Sequence, residues 1–116
     1  MFAHRYDRYQ GRHPREAGGM TNRPTTAVTR NDVSGRYELR ADGELLSWAR
    51  YTVDGDVVTV PHVETEPRHR GHNFSATLMA GVVDDLRARD LRIEPLCWVA
   101  RSYVESLPDA ATLLAD

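Results

Sequence analysis

Residues 70–79 read RGHNFSATLM and lead from a loop into the start of an amphipathic helix. Gly71 and Asn73 are the residue types that adopt left-handed backbone angles most readily, so they predict a sharp turn. Ser75 or Asn73 is suited to cap the helix. After the turn, apolar residues recur at three- and four-residue steps as far as position 90, which predicts a helix of about four to five turns with one buried stripe. These residues are Phe74, Leu78, Met79, Val82, Val83 and Leu86.

The residues before this loop predict an antiparallel meander of three strands. Two β-rich runs flank a turn at residues 41–43, and Asp54-Gly55 separates the second run from a third that extends from Val57 to about Glu64. Asp-Gly between strands is a strong hairpin signal, because both central positions of a type I′ turn need positive φ. Residues 65–73 contain Pro, Gly and Asn without an apolar period and form the connecting loop.

A further strand is predicted after the helix, in the run LRIEPLC at residues 91–97. A strand, a long helix and a second strand imply a right-handed crossover, with the two strands parallel. A weaker helical pattern covers residues 98–107, and Pro108 ends it. The sequence therefore predicts a mixed α/β (α+β) fold: a meander, a long helix, a parallel strand and a C-terminal helix.

The length of 116 residues allows one compact domain. We place this domain at residues 33–116 and interpret residues 1–32 as an N-terminal arm, predicted to be flexible. Residues 1–30 carry six arginines against two acidic residues, and a basic arm can hold phosphate-rich partners. Dispersed arginines in a segment rich in Gly, Pro and Thr are more typical of a solvated tail, so nucleic-acid binding is the weaker reading.

No membrane association is expected, because no apolar stretch approaches the roughly 18 residues of a membrane span. The first residues lack the apolar core of a signal peptide. The single cysteine, Cys97, cannot form an internal disulfide. We therefore expect a soluble, cytoplasmic protein.

The predicted junction of strand, loop and helix has the makings of an anion site. The first N–H groups of a helix lack intrahelical partners, and the helix dipole adds positive potential there. Gly71 and Asn73 allow successive N–H groups to turn toward one centre, and Arg70 adds a charged donor. The alternative is an ordinary connection in which Gly and Asn only make the turn, and the residues alone leave both readings open.

The register RGxxxSAxLx from Arg70, the helix end DDLRARDLR and the run IEPLCWVA resemble the GCN5-related N-acetyltransferase (GNAT) superfamily. The resemblance is closest to short, YjdJ-like single-domain members and covers residues 35 to about 108. It implies a GNAT-like fold and transfer of an acetyl group from acetyl-coenzyme A to an amine of a small molecule or peptide. A chain this short lacks the extra helices that build acceptor pockets in larger relatives, so either a homodimer supplies walls or the acceptor docks on an open surface.

The motif Q/R-x-x-G-x-G/A of the superfamily binds the cofactor pyrophosphate through backbone N–H groups. Arg70, Asn73 and Ser75 take its three fixed positions, and two of them depart from the usual glycine or alanine. An alternative function is therefore a non-catalytic acyl-coenzyme A binding module with a degenerate loop. The cofactor contacts that the resemblance implies are Val63, Arg70, Gly71, His72, Asn73, Phe74 and Ser75.

Four residues are candidates for the chemistry. His62 and Glu64 are two apart in a strand and so share one face; they match the His and Glu of the pattern H-T-E-V, and either can act as base directly or through water. The resemblance places Cys97 near the acetyl group, with a positioning or proton role in direct transfer, or as an acetylated nucleophile activated by His62 or Glu64. Tyr103 is a candidate general acid that returns a proton to the thiolate.

Each candidate has a structural alternative: a surface ion pair for His62 and Glu64, a small buried apolar residue for Cys97 and a hydrogen-bonded buried tyrosine for Tyr103. Pro61 cannot donate to a strand ladder and helps to open the sheet there. His69 and His72 have no Cys or acidic partner at metal-binding spacing, so we predict no metal site. Together with Arg68 and Arg70 in the same loop, we interpret them as a basic rim that attracts the phosphates of coenzyme A.

Overall fold

A five-stranded sheet in the order β1-β2-β3-β4-β5 forms the centre of the protein, which a computed structural model describes over residues 25–115. The strands are β1 (Thr26–Asn31), β2 (Arg36–Ala41), β3 (Glu44–Asp54), β4 (Val57–Thr65) and β5 (Arg92–Pro95). The helices are α1 (Phe74–Ala88), α2 (Trp98–Glu105) and α3 (Ala110–Leu113), and a 3₁₀ turn covers Pro67–His69. None of the helices within residues 25–115 is long and apolar enough to cross a membrane.

The strand pairing confirms the predicted fold class. β2, β3 and β4 form the antiparallel meander, and β5 pairs parallel to β4 after the crossover through α1. α1 begins at the predicted Phe74 but ends at Ala88, two residues before the predicted Asp90. The reason is local: Asp90 has a left-handed φ of 58°, and the amide of Leu91 donates to the carbonyl oxygen of Leu86 at 2.9 Å, which closes the helix end.

Strand β1 corrects the predicted domain boundary. Residues 26–31 pair antiparallel with β2 and lie in the sheet, although residues 1–32 were assigned to an arm outside the domain. Val28 is fully buried and lies against α1 so closely that a Cβ on Gly81 would be 2.6 Å from the Val28 Cβ. Thr, Arg and Asn surround this one buried valine, so no apolar period marks the strand. The rest of the predicted arm, residues 1–24, lies outside the described residues.

A buried carboxylate ties the first two strands to α1. Asp85 Oδ2 accepts hydrogen bonds from Tyr37 at 2.6 Å, Arg30 at 2.8 Å and Arg89 at 3.0 Å. Burial and the hydrogen bond to Asp85 raise the pKa of Tyr37 well above its usual range. This cluster fixes the C-terminal half of α1 over β1 and β2.

The core lies between α1 and one face of the sheet, and the opposite face is polar. Tyr37, Ala49 and Val63 are cross-strand neighbours on the core face, so their sequence neighbours Glu38, Trp48 and Glu64 lie on the opposite side. All of the buried apolar residues of the strands belong to the core face. We call the other side the open face; the Arg36 guanidinium lies 5.4 Å from the Trp48 ring centroid there.

Candidate active site

The sheet forks between β4 and β5. The two strands pair from Val57 to Val60, and the amides of Leu96 and Cys97 then donate to the Val60 carbonyl oxygen at 3.0 and 3.4 Å. Beyond this point β4 continues to Thr65 without pairing to β5. A register shift places Val60 and Pro61 opposite the single residue Tyr51 of β3, which is the pattern of a β-bulge. The opening falls at Pro61, in agreement with its missing N–H group.

The loop between β4 and α1 contains two left-handed residues. Gly71 has a φ of 87° and Asn73 has a φ of 63°, as their residue types predict. Asn73 is the N-cap of α1, but its side chain makes no capping hydrogen bond, and neither does that of Ser75; the prediction of a side-chain cap is therefore wrong. Since no side chain occupies the helix mouth in this way, the amides there keep their capacity to bind another group.

The amides at the mouth of α1 are unpaired within the described chain. No backbone N–H group of residues 71–76 donates to another residue between 25 and 115, and the first that does is that of Thr77, to the Asn73 carbonyl oxygen at 3.3 Å. The mouth opens into a groove of about 320 Å³ between β4, the loop and α2. Six of the seven predicted cofactor contacts line it: Val63, Arg70, Gly71, Asn73, Phe74 and Ser75.

His72, the seventh predicted contact, does not line this groove. Its ring lies 5.6 Å from the ring of Phe74 at an interplanar angle of 31°. Both side chains border a neighbouring cavity of about 750 Å³ on the side of β2 and β3. His72 therefore lies on the far side of Phe74 from most of the groove.

The predicted basic rim is largely occupied by an acidic partner. Glu44, at the start of β3, contacts Arg68 Nη2 and His69 Nε2, each at 2.8 Å. The hydrogen bond with His69, followed by the charge of Arg68, lowers the pKa of Glu44. Arg70, in contrast, has no side-chain partner among residues 25–115 and lines the groove. An anion in the groove could therefore bind the Arg70 guanidinium without displacing a carboxylate from it.

His62 and Glu64 lie on the open face just beyond the fork. Their side chains contact each other through His62 Nε2 and a Glu64 carboxylate oxygen, and both are about half exposed. Arg50 and Trp48 are their neighbours on β3. The two residues thus form the pair that their spacing predicts, and its catalytic role stays a prediction.

Comparison with known proteins gives the family. The sequence pattern of the GCN5-related N-acetyl-transferase family matches residues 36–113. The chain belongs to this family. A solved structure, the ribosomal-protein-S18-alanine N-acetyltransferase from Escherichia coli, matches with a TM-score of 0.53 and 19% identity over 63% of this chain and 50% of that chain. The present chain therefore spans about half the length of that enzyme, and the match shows the fold. No curated protein matches the sequence.

The predicted membership of the GNAT superfamily and the GNAT-like fold are confirmed by these matches. Family membership supports acyl transfer as the general activity. Most of the predicted site residues lie at one of two places, the fork or the mouth of α1.

Cys97 lies at the base of the fork, between β5 and α2. It is the N-cap residue of α2, and its side chain is partly buried against the core. Its thiol has no hydrogen-bond partner among the described residues, and it does not line the groove at the mouth of α1. Cys97 therefore lies just after the end of β5 with no side chain of residues 25–115 hydrogen-bonded to its thiol, and its role near the acetyl group stays a prediction.

Tyr103 lies apart from the other candidates. It borders the C-terminal half of α1, where burial, followed by the charge of Asp84, raises its pKa. Its electrostatic interaction with Arg87 is on the same side, and it does not line the groove. The pattern of α2 predicted that Tyr103 faces inward, but which part of α1 it would meet depends on how the two helices pack.

Sequence reasoning missed two residues of the site, Glu44 and Val99. Glu44 holds the basic residues of the loop from 24 and 25 positions away, and no local pattern relates a hairpin residue to a distant loop. Val99 lines the groove from α2. Its position two residues after Cys97 was the available signal, since a helix that begins at the fork must bring its first turn to the groove.

Proposed function

We propose that this protein is an acetyl-coenzyme A-dependent N-acetyltransferase that acetylates an amine of a small molecule or peptide. The observation that carries the proposal is the set of amides at residues 71–76, which have no hydrogen-bond partner within residues 25–115 and open into a groove beside Arg70, whose side chain makes no ion pair with those residues. Backbone amides at a helix N-terminus together with an arginine suit a diphosphate. The cytoplasmic location, and a homodimer as a source of acceptor walls, stay predictions.

The residues at the helix mouth fit a pyrophosphate despite the missing glycines. Asn73 adopts the left-handed angle that the glycine of the motif would supply, and Ser75 is small. Arg70 would donate to phosphate oxygens, and charge-assisted hydrogen bonds of this kind are about twice as strong as neutral ones. We therefore assign the pyrophosphate to the groove between Arg70 and Ser75.

The fork is suited to the amide-bearing arm of the cofactor. The edge of β4 that faces β5 makes no ladder bonds after Val60, so the backbone of residues 61–65 can bind an extended chain in the manner of an added strand. Val63 already lines the groove that leads from the helix mouth into the fork. This path ends at Cys97 and the pair His62 and Glu64, which is where we place the reaction.

The reaction forms a C–N bond and breaks the C–S bond of the thioester, so that the acetyl group passes to the amine and the sulfur takes up a proton. His62 would accept the proton that the acceptor ammonium loses, with Glu64 holding the imidazole in place. Direct transfer is favoured over an acetylated Cys97, because no side chain of residues 25–115 hydrogen-bonds to the thiol to activate it. Cys97 then has a positioning role.

Isothermal titration with acetyl-coenzyme A, and with adenosine as a ligand without pyrophosphate, tests the site in two matched variants. Arg70→Ala should weaken acetyl-coenzyme A binding about tenfold or more, because a hydrogen bond to a charged group contributes about 1.5–3 kcal/mol. Arg68→Ala should stay close to wild type, because Arg68 is paired with Glu44. Adenosine alone should bind far more weakly than acetyl-coenzyme A.

Release of free thiol in the presence of amines then separates catalysis from binding. Acetyl-coenzyme A binding without any transfer to an amine would identify the non-catalytic module instead. If acetyl-coenzyme A does not bind, or if both arginine variants lose the same affinity for it, the placement of the diphosphate in this groove is wrong.

A further inference from the structure

Exposed apolar side chains are few in the described chain, and two of them flank the proposed reaction centre. Among residues 25–115, the exposed large hydrophobic residues are Val33, Val53, Leu96 and Trp98. Leu96 is 60% exposed and Trp98 is 75% exposed, and they immediately precede and follow Cys97. Val33 lies in the turn after β1, and Val53 lies near the end of β3, opposite Val58 of β4.

Leu96 lies on the open face beside the end of the paired region. Along β5 the residues alternate between exposed Arg92 and Glu94 and buried Ile93 and Pro95, so Leu96 continues the exposed series. Glu94 contacts the Thr59 hydroxyl on β4 at 3.3 Å, which shows that this series is on the same side as the open-face residues of β4. Leu96 is thus on the side of the fork that also carries His62.

Trp98 is the second exposed apolar residue beside Cys97, and it lies on α2. It is the first residue of the helix and belongs to the solvent-facing stripe that includes Arg101 and Glu105, which are three and seven positions further on. The buried stripe of the same helix is formed by Ala100 and Val104. Leu96 and Trp98 are thus two exposed apolar residues on either side of Cys97 at the base of the fork, and we call the pair the Leu96/Trp98 platform.

Two carboxylates accompany this platform on the open face. Glu64 lies on β4 beyond the fork, and Glu94 lies on β5 just before it. An amine acceptor arrives largely as an ammonium ion, and these two charges favour its approach. Arginines also lie on this face. Arg50 is the strand neighbour of His62 on β3, across β4 from β5, and Arg92 lies two residues before Glu94, with its guanidinium donating to the carbonyl oxygens of Leu114 and Ala115.

We infer that the acceptor is a primary amine with a bulky apolar group close to the amino nitrogen, such as a peptide whose first residue is leucine or phenylalanine. This inference rests on the proposed function. The amine enters between Glu64 and Glu94, and the apolar group packs on the Leu96/Trp98 platform. Stable protein dimers bury about 1,600 Å² in total, whereas a large aromatic side chain buries about 150–250 Å². The platform consists of two side chains, so it suits one ligand side chain, whereas a dimer interface needs many more residues.

The test compares kcat/KM for L-leucinamide, L-phenylalaninamide and glycinamide, which present the same type of amine with and without an apolar group. We expect wild type to prefer the two apolar amides by about tenfold or more, as burial of such a side chain predicts. Leu96→Ser and Trp98→Ser should reduce this preference at least severalfold. Val33→Ser and Val53→Ser remove exposed apolar side chains outside the platform, and should leave both the preference and the rate unchanged.

The outcomes separate this inference from the function on which it rests. Equal kcat/KM for the apolar amides and glycinamide, or an equal loss of preference in the control variants, overturns the acceptor assignment while acetyl transfer stands. Transfer to none of the amines, in a protein whose thermal unfolding is normal, contradicts the proposed function itself. A dimer in sedimentation velocity that Trp98→Ser dissociates would show that a second copy occupies the platform, which also overturns the inference.

Discussion

The amide of Thr77 donates to the carbonyl oxygen of Asn73 at 3.3 Å, and Asn73 itself has a left-handed φ of 63°. The first backbone hydrogen bond of α1 is therefore accepted by a residue whose own backbone is not helical. The amides between them have no partner within residues 25–115. Asn73 supplies the left-handed conformation that a glycine would also adopt, and this conformation leaves the amides of the helix mouth without partners in residues 25–115.

Replacement of Asn73 tests this conformation. Asn73→Val should lower the free energy of unfolding by about 1–2 kcal/mol, because a β-branched residue at positive φ is strained. It should also weaken acetyl-coenzyme A binding, since relaxation of the strain turns the amides away. Asn73→Gly should bind at least as well as wild type. Urea unfolding and titration calorimetry on both variants provide the measurement, and a valine variant equal to wild type in both would contradict it.

The parts of the fold that sequence predicts are those with local causes. The left-handed angles of Gly71 and Asn73, the start of α1 at Phe74 and the β4 hairpin all depend on residues a few positions apart. β1 was missed because its place depends on one buried side chain, Val28, and on pairing with β2. A single valine among polar residues carries no period, so the strand can be recognised only when the helix it supports is in place.

The contact between β1 and α1 predicts a strong effect at Gly81. Alanine is the better helix former by about 1 kcal/mol, yet its Cβ would be 2.6 Å from the Val28 Cβ and 2.7 and 2.8 Å from its two methyl carbons. We expect Gly81→Ala to destabilise the protein by about 1–3 kcal/mol, as overpacking does. Urea unfolding of Gly81→Ala, Val28→Ala and the double variant measures this.

The double variant shows whether the cost arises at this contact. Val28→Ala removes two of the three close atoms, so the two substitutions together should cost less than the sum of their separate effects. Additive costs, or a Gly81→Ala variant more stable than wild type, would mean that β1 does not pack on α1 as described.

The site, like the fold, was predictable from the sequence only where its features have local causes. The spacing of His62 and Glu64 places both on one face, and they are in contact. Arg68 and His69 were expected at a basic rim, but Glu44 holds them. The ion pairs link a loop to a hairpin more than twenty residues earlier, and the charge that a bound phosphate meets therefore depends on tertiary structure. Tyr103 was placed by analogy with the family, and its neighbours on α1 depend on helix packing.

Substitution of Cys97 distinguishes the two routes of transfer. Direct transfer predicts that Cys97→Ala lowers kcat less than about tenfold, whereas loss of a covalent nucleophile costs many orders of magnitude. His62→Gln should lower kcat by about 10²–10⁴, the usual contribution of a general base. Steady-state rates give both values. An acetyl adduct on Cys97, seen by intact mass spectrometry in a brief reaction with acetyl-coenzyme A, would contradict direct transfer.

The last prediction concerns pH and the hydrogen bond from the Tyr51 hydroxyl to Asp32. Burial, followed by this hydrogen bond, raises the pKa of Tyr51 to about 12, and the same bond lowers the pKa of Asp32. The contribution of Tyr51 to stability is complete below its unfolded pKa of about 10 and is lost as the pH rises through about 12. The contribution of Asp32 is complete above its unfolded pKa of about 4 and is lost as the pH falls through its lowered folded pKa.

The difference in unfolding free energy between wild type and Tyr51→Phe should therefore be constant from about pH 5 to pH 9 and shrink at both ends. Urea unfolding at about pH 3, 7, 9 and 11 provides the comparison. Asp32→Asn is the matched control, because it removes the acidic limb and leaves a neutral acceptor for the Tyr51 hydroxyl. A difference that persists unchanged to about pH 11 would mean that the Tyr51 phenol titrates at its ordinary pKa and that the hydrogen bond does not hold it.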